Sequence, residues 1–334
     1  MNPPQQRPGV PVVKTVAQLG LGIALVAGLV AWVSPDWDEV AGTVRLSAPW
    51  LLVSLSGSLL ATIVTAGRWK LLSEAMGAGR LPYGVYFHWL ALTRVVGQFM
   101  PTVVVDLLGR TAALRAAGSR SGMGHLMTTV VTERLFDLLL PLFMLAWAMS
   151  VQTELVAVSP YVTLAVATLV FSLAAVPLLS PAARLALAVY ARLRRIRHPS
   201  PTEGPAPLSM GRTLAAQIVA LSLLRYAGIL VQYLGAGAGF GVVLAPLVLL
   251  SAAPAAQAAG IIGITPGGLG MQEGGWTAVL STLGEQRASI VVFMAGARIM
   301  MVVNFGLLAL ASWPWRTAGS PPESTDPAAD APNR

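Results

Sequence analysis

Cysteine is absent from the 334-residue chain, and acidic residues are few. The absence of cysteine excludes disulfides, thiolate metal sites and a cysteine nucleophile. The sequence contains no Gly-x-x-x-x-Gly-Lys-Ser/Thr loop, which excludes nucleotide hydrolysis by that route. The three histidines, His88, His125 and His198, show no metal-ligand spacing. We therefore expect no metal, no cofactor and no catalytic residue.

Charge is also scarce, since charged residues make up 11% of the chain and hydrophobic residues 55%. Soluble domains carry about 25% charged residues, so the composition predicts an integral membrane protein. The formal net charge is +8. In a membrane protein, positively charged cytoplasmic loops explain such a charge, so we expect no nucleic-acid partner. The same bias predicts that both termini are cytoplasmic.

Six apolar stretches are long enough to cross about 30 Å of hydrocarbon as helices. The polar ends, 1–14 and 313–334, are predicted to be disordered tails around a membrane domain at 15–312. The six predicted helices are 15–33, 48–67, 122–149, 160–179, 213–234 and 288–312.

Two further apolar segments, 84–100 and 102–118, are too polar to face lipid, and Pro101 separates them. Basic residues at both outer ends place these ends on the cytoplasmic side. The pattern predicts a re-entrant helical hairpin with its tip near Pro101. The charged residues selected in this region are Arg94, Asp106 and Arg110.

A second break occupies residues 264–275, between apolar arms at 242–264 and 273–283. Proline cannot continue a helix, and three glycines within four positions favour a turn. Glu273 opens the returning helix, where a carboxylate meets the positive end of the helix dipole. A broken membrane helix with an ionisable residue indicates a transport site, and an irregular loop outside the bilayer is the alternative. The turn residues are Pro266, Gly267, Gly268 and Gly270.

Charged residues inside the full helices must face the interior of the bundle. The helix at 122–149 carries Glu133, Arg134 and Asp137, and residues three or four apart share a face. This spacing allows Arg134 to pair with Asp137. A purely structural ion cluster is the alternative to a binding site. Two later helices add Arg225 and Arg298. The depth of Arg298 in its helix, near the midplane, predicts that it lies within reach of Glu273.

The region 180–212 is predicted to be cytoplasmic. Its segment 184–197 combines arginines with an apolar face, which is typical of a basic amphipathic helix on anionic inner-leaflet lipids. A plain cytoplasmic loop is the alternative. The remaining residues, 198–211, are proline-rich and predict a flexible linker.

The two breaks suggest a repeat, because Arg134 and Arg298 follow Pro101 and Pro266 at nearly the same distance. Each half, 15–150 and 158–312, then contains helix, helix, hairpin and helix. Three crossings per half make the second half inverted, which is a transporter architecture. The repeat also predicts that Asp106 and Arg134 form one half of a cavity and that Glu273 and Arg298 form the opposing half. The predicted fold is thus all-α and polytopic, with about six transmembrane helices and two re-entrant hairpins in an inverted repeat.

At these residues the chain resembles the flippase-like membrane domain of lysylphosphatidylglycerol synthetases, a domain that also occurs alone in many bacterial proteins. One family signature resembles 266–270 followed by Glu273, another resembles 101–110, and a third resembles 131–139. Thr102 and Val105 stand where the family usually has glycine, which implies a stiffer first hairpin or a different ligand. No synthetase domain follows residue 312, so the synthetase chemistry is not implied.

The resemblance implies a transporter that moves a phospholipid or lipid-linked cell-envelope intermediate between leaflets of a bacterial-type cytoplasmic membrane. With no phosphate loop, transport is expected to be passive or ion-coupled. One alternative is a lipid-modifying enzyme that uses His88 or His125 with Asp106 or Glu133. Another is a non-transporting scaffold for cell-envelope enzymes, with 184–197 as the contact. The residues expected to bind substrate are Arg94, Asp106, Arg110, Glu133, Arg134, Asp137, Arg225, Pro266, Gly267, Gly268, Gly270, Glu273 and Arg298.

Overall fold

The computed structural model describes residues 12–75, 80–119, 123–152, 158–197, 211–262 and 265–317, and these residues are almost entirely helical. A π-helical turn lies at Val105–Gly109, and a short 3-10 helix lies at Trp313–Thr317. The α-helices are α1 (Val12–Val33), α2 (Trp37–Thr43), α3 (Ala48–Ala75), α4 (Tyr83–Val96), α5 (Thr102–Val104), α6 (Arg110–Ala116), α7 (Met123–Gln152), α8 (Pro160–Arg197), α9 (Arg212–Gly239), α10 (Pro246–Ile262), α11 (Met271–Thr282) and α12 (Arg287–Ala311).

Five helical segments in the described part of the chain are long and apolar enough to cross a membrane. The bent pair α1 and α2, with 100° between its arms, gives a sixth candidate if it forms one span. The predicted all-α polytopic membrane fold is confirmed. The five segments are Ala48–Ala75, Thr129–Gln152, Pro160–Leu178, Arg212–Gly239 and Arg287–Ala311.

The arms of both predicted hairpins are too short to cross a bilayer singly. Helices α4, α10 and α11 contain 14, 17 and 12 residues. At 1.5 Å per residue they are about 21, 26 and 18 Å long, against about 30 Å of hydrocarbon. Each hairpin turns at a proline, Pro101 or Pro266, as the sequence predicts. We call these two turns the first tip and the second tip.

Helices α3 and α9 cross at the centre of the bundle, with their backbones in contact. A Cβ atom at Gly57 would lie 2.3 Å from the backbone nitrogen of Gln232, and one at Gly235 would lie 2.3 Å from that of Ser54. Only glycine permits this approach, and small residues at helix crossings are characteristic of membrane bundles. The crossing therefore forms a close-packed axis.

The hairpins pack around this axis and against the partner half of the chain. Helix α4 packs on α3 and α12, and α10 packs on α7 and α11. An aromatic cluster joins α9, α11 and α12, where the Trp276 ring lies edge-on to Tyr233 and Phe293 with centroids 4.9 and 4.8 Å apart. These contacts bring the two tips to the middle of the bundle.

Three predicted boundaries differ from the structure. Helix α3 continues to Ala75 instead of ending at residue 67, which places Arg68 inside the bundle. Helix α8 runs unbroken from Pro160 to Arg197, so the basic segment 184–197 is the end of a membrane helix and not a separate one. Helix α9 includes the glycines up to Gly239 instead of ending at residue 234, because burial against neighbouring helices outweighs the poor helix propensity of glycine.

The predicted disordered tails overlap helical structure at their inner edges. Helix α1 begins at Val12, and the turn after α12 packs on α4, where the Trp315 and Phe87 rings lie 5.6 Å apart. The remaining tail segments, 1–11 and 318–334, lie outside the described residues, as do 153–157 and most of the linker, 198–210.

Candidate functional site

The second tip owes its shape to its glycines. Gly267, Gly268 and Gly270 have φ angles of 60°, 66° and 82°, in the left-handed region that side chains disfavour. Gly270 precedes α11, and its backbone N–H donates to Oε2 of Glu273 at 2.7 Å. Glu273 therefore caps the first turn of the returning helix, as predicted from its position.

The two tips contact each other directly. Pro101 and Pro266 form an isolated antiparallel backbone bridge. The Gly267 N–H donates to the Met100 carbonyl at 3.3 Å. Turns that are far apart in sequence thus meet at one point, and this contact fixes the relative position of the hairpins.

Arg298 of α12 joins both tips. Its Nε donates to Oε1 of Glu273 at 2.9 Å, and its Nη1 donates to the Gly267 carbonyl at 2.9 Å and to Oε1 of Gln98 at 3.1 Å. Gln98 lies just before the first tip, whereas Gly267 and Glu273 belong to the second hairpin. The sequence predicted the pair Glu273–Arg298, and the contact with Gln98 connects it to the first hairpin. We call Gln98, Gly267, Glu273 and Arg298 the clasp.

The first hairpin has a corresponding ion pair between Asp106 and Arg134 of α7. Asp106 lies in the π-helical turn and is 3% exposed. π-Helical turns inside α-helices frequently occur at functional sites. Arg134 therefore contacts the hairpin residue that the repeat placed with it, and not Asp137, which the spacing along the helix also allowed and which contacts arginines of α3 and α9.

Those contacts belong to a buried ion network behind the tips. Arg68 donates to Oε1 of Glu133 at 2.9 Å, to Oδ1 of Asp137 at 2.6 Å and to Oγ of Ser222 at 2.9 Å. Arg110 of α6 donates to Oε2 of Glu133 at 2.7 Å, and Arg225 lies 3.3 Å from Asp137. The network joins α3, α6, α7 and α9 by charged hydrogen bonds, which are stronger than neutral ones.

Arg68 is the principal residue that sequence reasoning missed. The predicted helix 48–67 ends just before Arg68, which leaves this arginine at the cytoplasmic end, yet its side chain is fully buried. The available signal was the repeat, in which Arg68 corresponds to Arg225, and both arginines contact Asp137.

A cavity of about 150 Å³ lies where the tips, α7 and α9 meet. Of the predicted residues, Arg94, Asp106, Arg134, Arg225 and Gly267 line it. The others surround it: Arg110, Glu133 and Asp137 form the network, and Pro266, Gly268, Gly270, Glu273 and Arg298 shape and hold the second tip. The polar lining residues that the prediction omitted are Thr93, Gln98, Thr102, Gln232, Tyr233, Gln257 and Gln272.

Arg94 differs from the other arginines that line the cavity. Its Nη2 donates to Oγ1 of Thr65 at 3.3 Å, and its guanidinium lies 5.1 Å from the centroid of the Phe305 ring. Among the described residues no carboxylate lies within 4 Å of it. A guanidinium held by a hydroxyl and a ring retains donors for a ligand.

The alternative acid–base pairing of His88 is not present. Nδ1 of His88 lies 3.1 Å from Oγ of Ser312, and the ring contacts Trp89 and Trp313. Asp106 and Glu133 are instead engaged by arginines. The side chain of His125 lies outside the described residues.

Comparison with known proteins agrees with this architecture. No curated protein sequence matches the chain significantly. The family described as "Lysylphosphatidylglycerol synthase TM region" matches residues 19–309, which include both hairpins and every residue of the clasp and the network. This match indicates a multi-pass membrane protein of lipid metabolism or transport. The chain therefore belongs to the family of lysylphosphatidylglycerol synthase transmembrane regions.

Proposed function

We propose that the protein moves a membrane lipid or lipid-linked intermediate with an anionic head group between leaflets, by a passive or ion-coupled route. The observation that carries this proposal is the cavity at the meeting point of the tips, where Arg94, Arg134 and Arg225 present guanidinium groups. Arginine binds phosphate oxygens through paired hydrogen bonds. Apolar side chains, including Ile229 and Phe305, line the rest of the cavity.

The order of elements supports an inverted repeat as the basis of this movement. Each half contains two helices, a hairpin and a final helix, and the arginine of each final helix, Arg134 or Arg298, pairs with an acidic residue of the hairpin before it. In inverted-repeat transporters, broken helices enclose a site near the midplane, and the halves expose it alternately. We propose that the two hairpins open the cavity in turn to the two leaflets.

The proposed setting is a cytoplasmic membrane with both termini inside. Helix α8 has 38 residues and is about 57 Å long, so its end projects well beyond the hydrocarbon. That end carries the basic segment 184–197, which would meet anionic lipids of the inner leaflet.

The test is lipid movement by the purified protein in liposomes. A labelled anionic lipid is added, and a membrane-impermeant reductant reports the fraction that reaches the outer leaflet. Gly260→Leu should abolish movement because Gly260 lines the cavity and the larger side chain fills it. Gly306→Leu is the matched control, since a Cβ atom there meets nothing within 4 Å.

The outcomes separate the three functional classes. Movement that requires an open cavity, with unchanged lipid mass, supports transport. A changed lipid mass by mass spectrometry would indicate the lipid-modifying enzyme. Neither movement nor chemical change, with native folding and enzyme recruitment in cells, would indicate the scaffold.

A further inference from the structure

The interior of the protein carries more positive than negative charge around the cavity. The clasp and the pair Asp106–Arg134 are each balanced, but the ion network has three arginines for two carboxylates, and Arg94 has no carboxylate partner. The described residues thus leave a surplus of two positive charges. The positive charges are those of Arg68, Arg94, Arg110, Arg134, Arg225 and Arg298, and the negative charges are those of Asp106, Glu133, Asp137 and Glu273.

Unused hydrogen-bond donors belong to residues that line the same cavity. Nε of Arg134, Nε of Arg225 and Nε2 of Gln257 are buried and have no partner. All three residues line the cavity, and Gln257 is only 7% exposed. A buried donor without a partner costs about 1–3 kcal/mol, so these groups indicate that a ligand supplies the acceptors.

Charge balance defines that ligand. An uncompensated buried charge is costly, so a site with two surplus positive charges favours a group with two negative charges. Asp106 is the carboxylate at the cavity, and it is already engaged by Arg134. A phosphodiester head group carries one negative charge, whereas a phosphate monoester carries about two near neutral pH.

We propose that the cavity selects a terminal, dianionic phosphate group, as carried by a lipid phosphomonoester, over the phosphodiester of ordinary phospholipids. This inference rests on the proposed function in assigning the cavity to a lipid head group. Arg94 and Arg225 bind the two charges, and Gln257 donates to a further oxygen. The apolar wall, which includes Ile261 and Met301, directs the lipid chain away from these donors.

The experiment measures binding by the full-length purified protein in detergent, through ligand-induced shifts of the melting temperature. The probes are dioleoyl phosphatidic acid, which is a phosphomonoester, dioleoyl phosphatidylglycerol, which is a phosphodiester, and inorganic phosphate. Phosphatidic acid should bind about tenfold more tightly than phosphatidylglycerol. Inorganic phosphate alone tests whether the phosphate group is recognised without its lipid chains. If free phosphate binds as tightly as phosphatidic acid, the ligand is a phosphate ion and the proposal of a lipid ligand is overturned.

The pH dependence gives a second, independent readout. Arginine stays protonated across the range, and the second pKa of a phosphate monoester is about 6. Binding of phosphatidic acid should therefore strengthen from pH 5 to pH 8, as the ligand gains its second charge. Binding of phosphatidylglycerol should not change. A flat profile for both lipids would overturn the inference.

Arg94→Gln isolates the surplus charge, because no ion pair is lost. The variant should fold at least as well as the native protein and lose most of the preference for phosphatidic acid, by about tenfold. Arg287→Gln, at the exposed start of α12, is the control and should keep the preference. Loss of folding in Arg94→Gln would show a structural arginine and overturn the inference.

Failure of this inference is distinguishable from failure of the proposed function. Movement of phosphatidylglycerol and phosphatidic acid at equal rates, with equal binding, refutes the charge selectivity and leaves transport standing. Absence of movement of every anionic lipid refutes transport itself.

Discussion

Replacing Arg298 should release the contact between the two hairpins. Its guanidinium donates to Glu273, Gln98 and the Gly267 carbonyl, so one side chain holds both tips. Only 18% of the Arg298 side chain and 12% of the Glu273 side chain are exposed. Arg298→Met removes the donors and leaves the carboxylate of Glu273 buried without its cation.

The expected cost follows from that burial. Breaking a buried ion pair by removing one partner costs about 3–5 kcal/mol. For a protein of this size the melting temperature should fall on the order of 10 °C. Glu273→Gln should cost less, about 1.5–3 kcal/mol, because Arg298 keeps the amide and carbonyl acceptors of Gln98 and Gly267.

The double variant Glu273→Gln, Arg298→Met separates stability from function. It removes both charges, so it should recover most of the lost stability. It should still fail to move lipid if the clasp serves the site. Stability is measured by thermal melting of the purified variants, followed by tryptophan fluorescence. Function is measured by lipid movement in liposomes. Arg287→Met, on the exposed first turn of the same helix, is the control.

Two results would refute this reasoning. A cost below about 1 kcal/mol for Arg298→Met would show that the buried-pair argument does not apply to the clasp. Lipid movement at the native rate by a stable double variant would show that Glu273 and Arg298 are structural only.

Three further predictions follow from the backbone and the topology. Gly57→Ala should prevent folding, since its Cβ atom would lie 2.3 Å from a backbone nitrogen of α9. Gly67→Ala on the same helix is the control, and it should leave the melting temperature unchanged because its Cβ atom has its nearest neighbour at 3.9 Å. Gly268→Ala should cost about 1–2 kcal/mol and reduce lipid movement because of its positive φ angle, while Gly274→Ala inside α11 should preserve both. Ala116→Cys should react with an impermeant thiol reagent only after the cytoplasmic face is opened, and reaction in intact cells would refute the first re-entrant hairpin.

The hairpins and their ion pairs were predictable because their signals are local. Pro101, Pro266 and the glycines after Pro266 restrict the backbone directly, whatever surrounds them. The pair Glu273–Arg298 followed from the depth at which a returning arm and a final helix place their charges. These features depend on local backbone geometry, which the residue types themselves determine.

The burial of Arg68 and the partner of Arg134 depended on tertiary structure. The positive-inside rule assigns an arginine near a predicted helix end to a cytoplasmic loop, although α3 continues past Arg68 to Ala75. Spacing along a helix allows Arg134 to pair with Asp137, whereas the repeat places Arg134 with Asp106, and the packing of the hairpin on α7 selects Asp106. Side chains from other elements decide between such alternatives, and a single sequence does not show those elements.

The contact between the tips was not predicted either, although both tips were. Each hairpin was inferred from its own proline, and the repeat relates Pro101 to Pro266 by position without giving the atoms that touch. The cavity depends on that contact, because Gln98 and Thr102 beside one tip and Gly267 in the other line it. Polar residues such as Gln257 therefore gained significance only when the two halves were seen together.

The distribution of strong contacts indicates which parts of the bundle stay fixed and which rearrange. Helices α3 and α9 touch backbone to backbone, and Arg68 and Arg225 bind them both to Asp137 of α7, so separating these helices would break close packing and charged hydrogen bonds together. The second hairpin packs on α12 through the Trp276–Phe293 ring contact, but in the described residues its charged contact with α12 and with the first hairpin passes through the single guanidinium of Arg298, and the tips share one backbone bridge. A ligand phosphate offers the same acceptor chemistry to arginine as the groups of this clasp. A head group in the cavity, which Gln98 and Gly267 line, can therefore compete with them for Arg298, and we expect the hairpins, not the α3–α9 axis, to move when it binds.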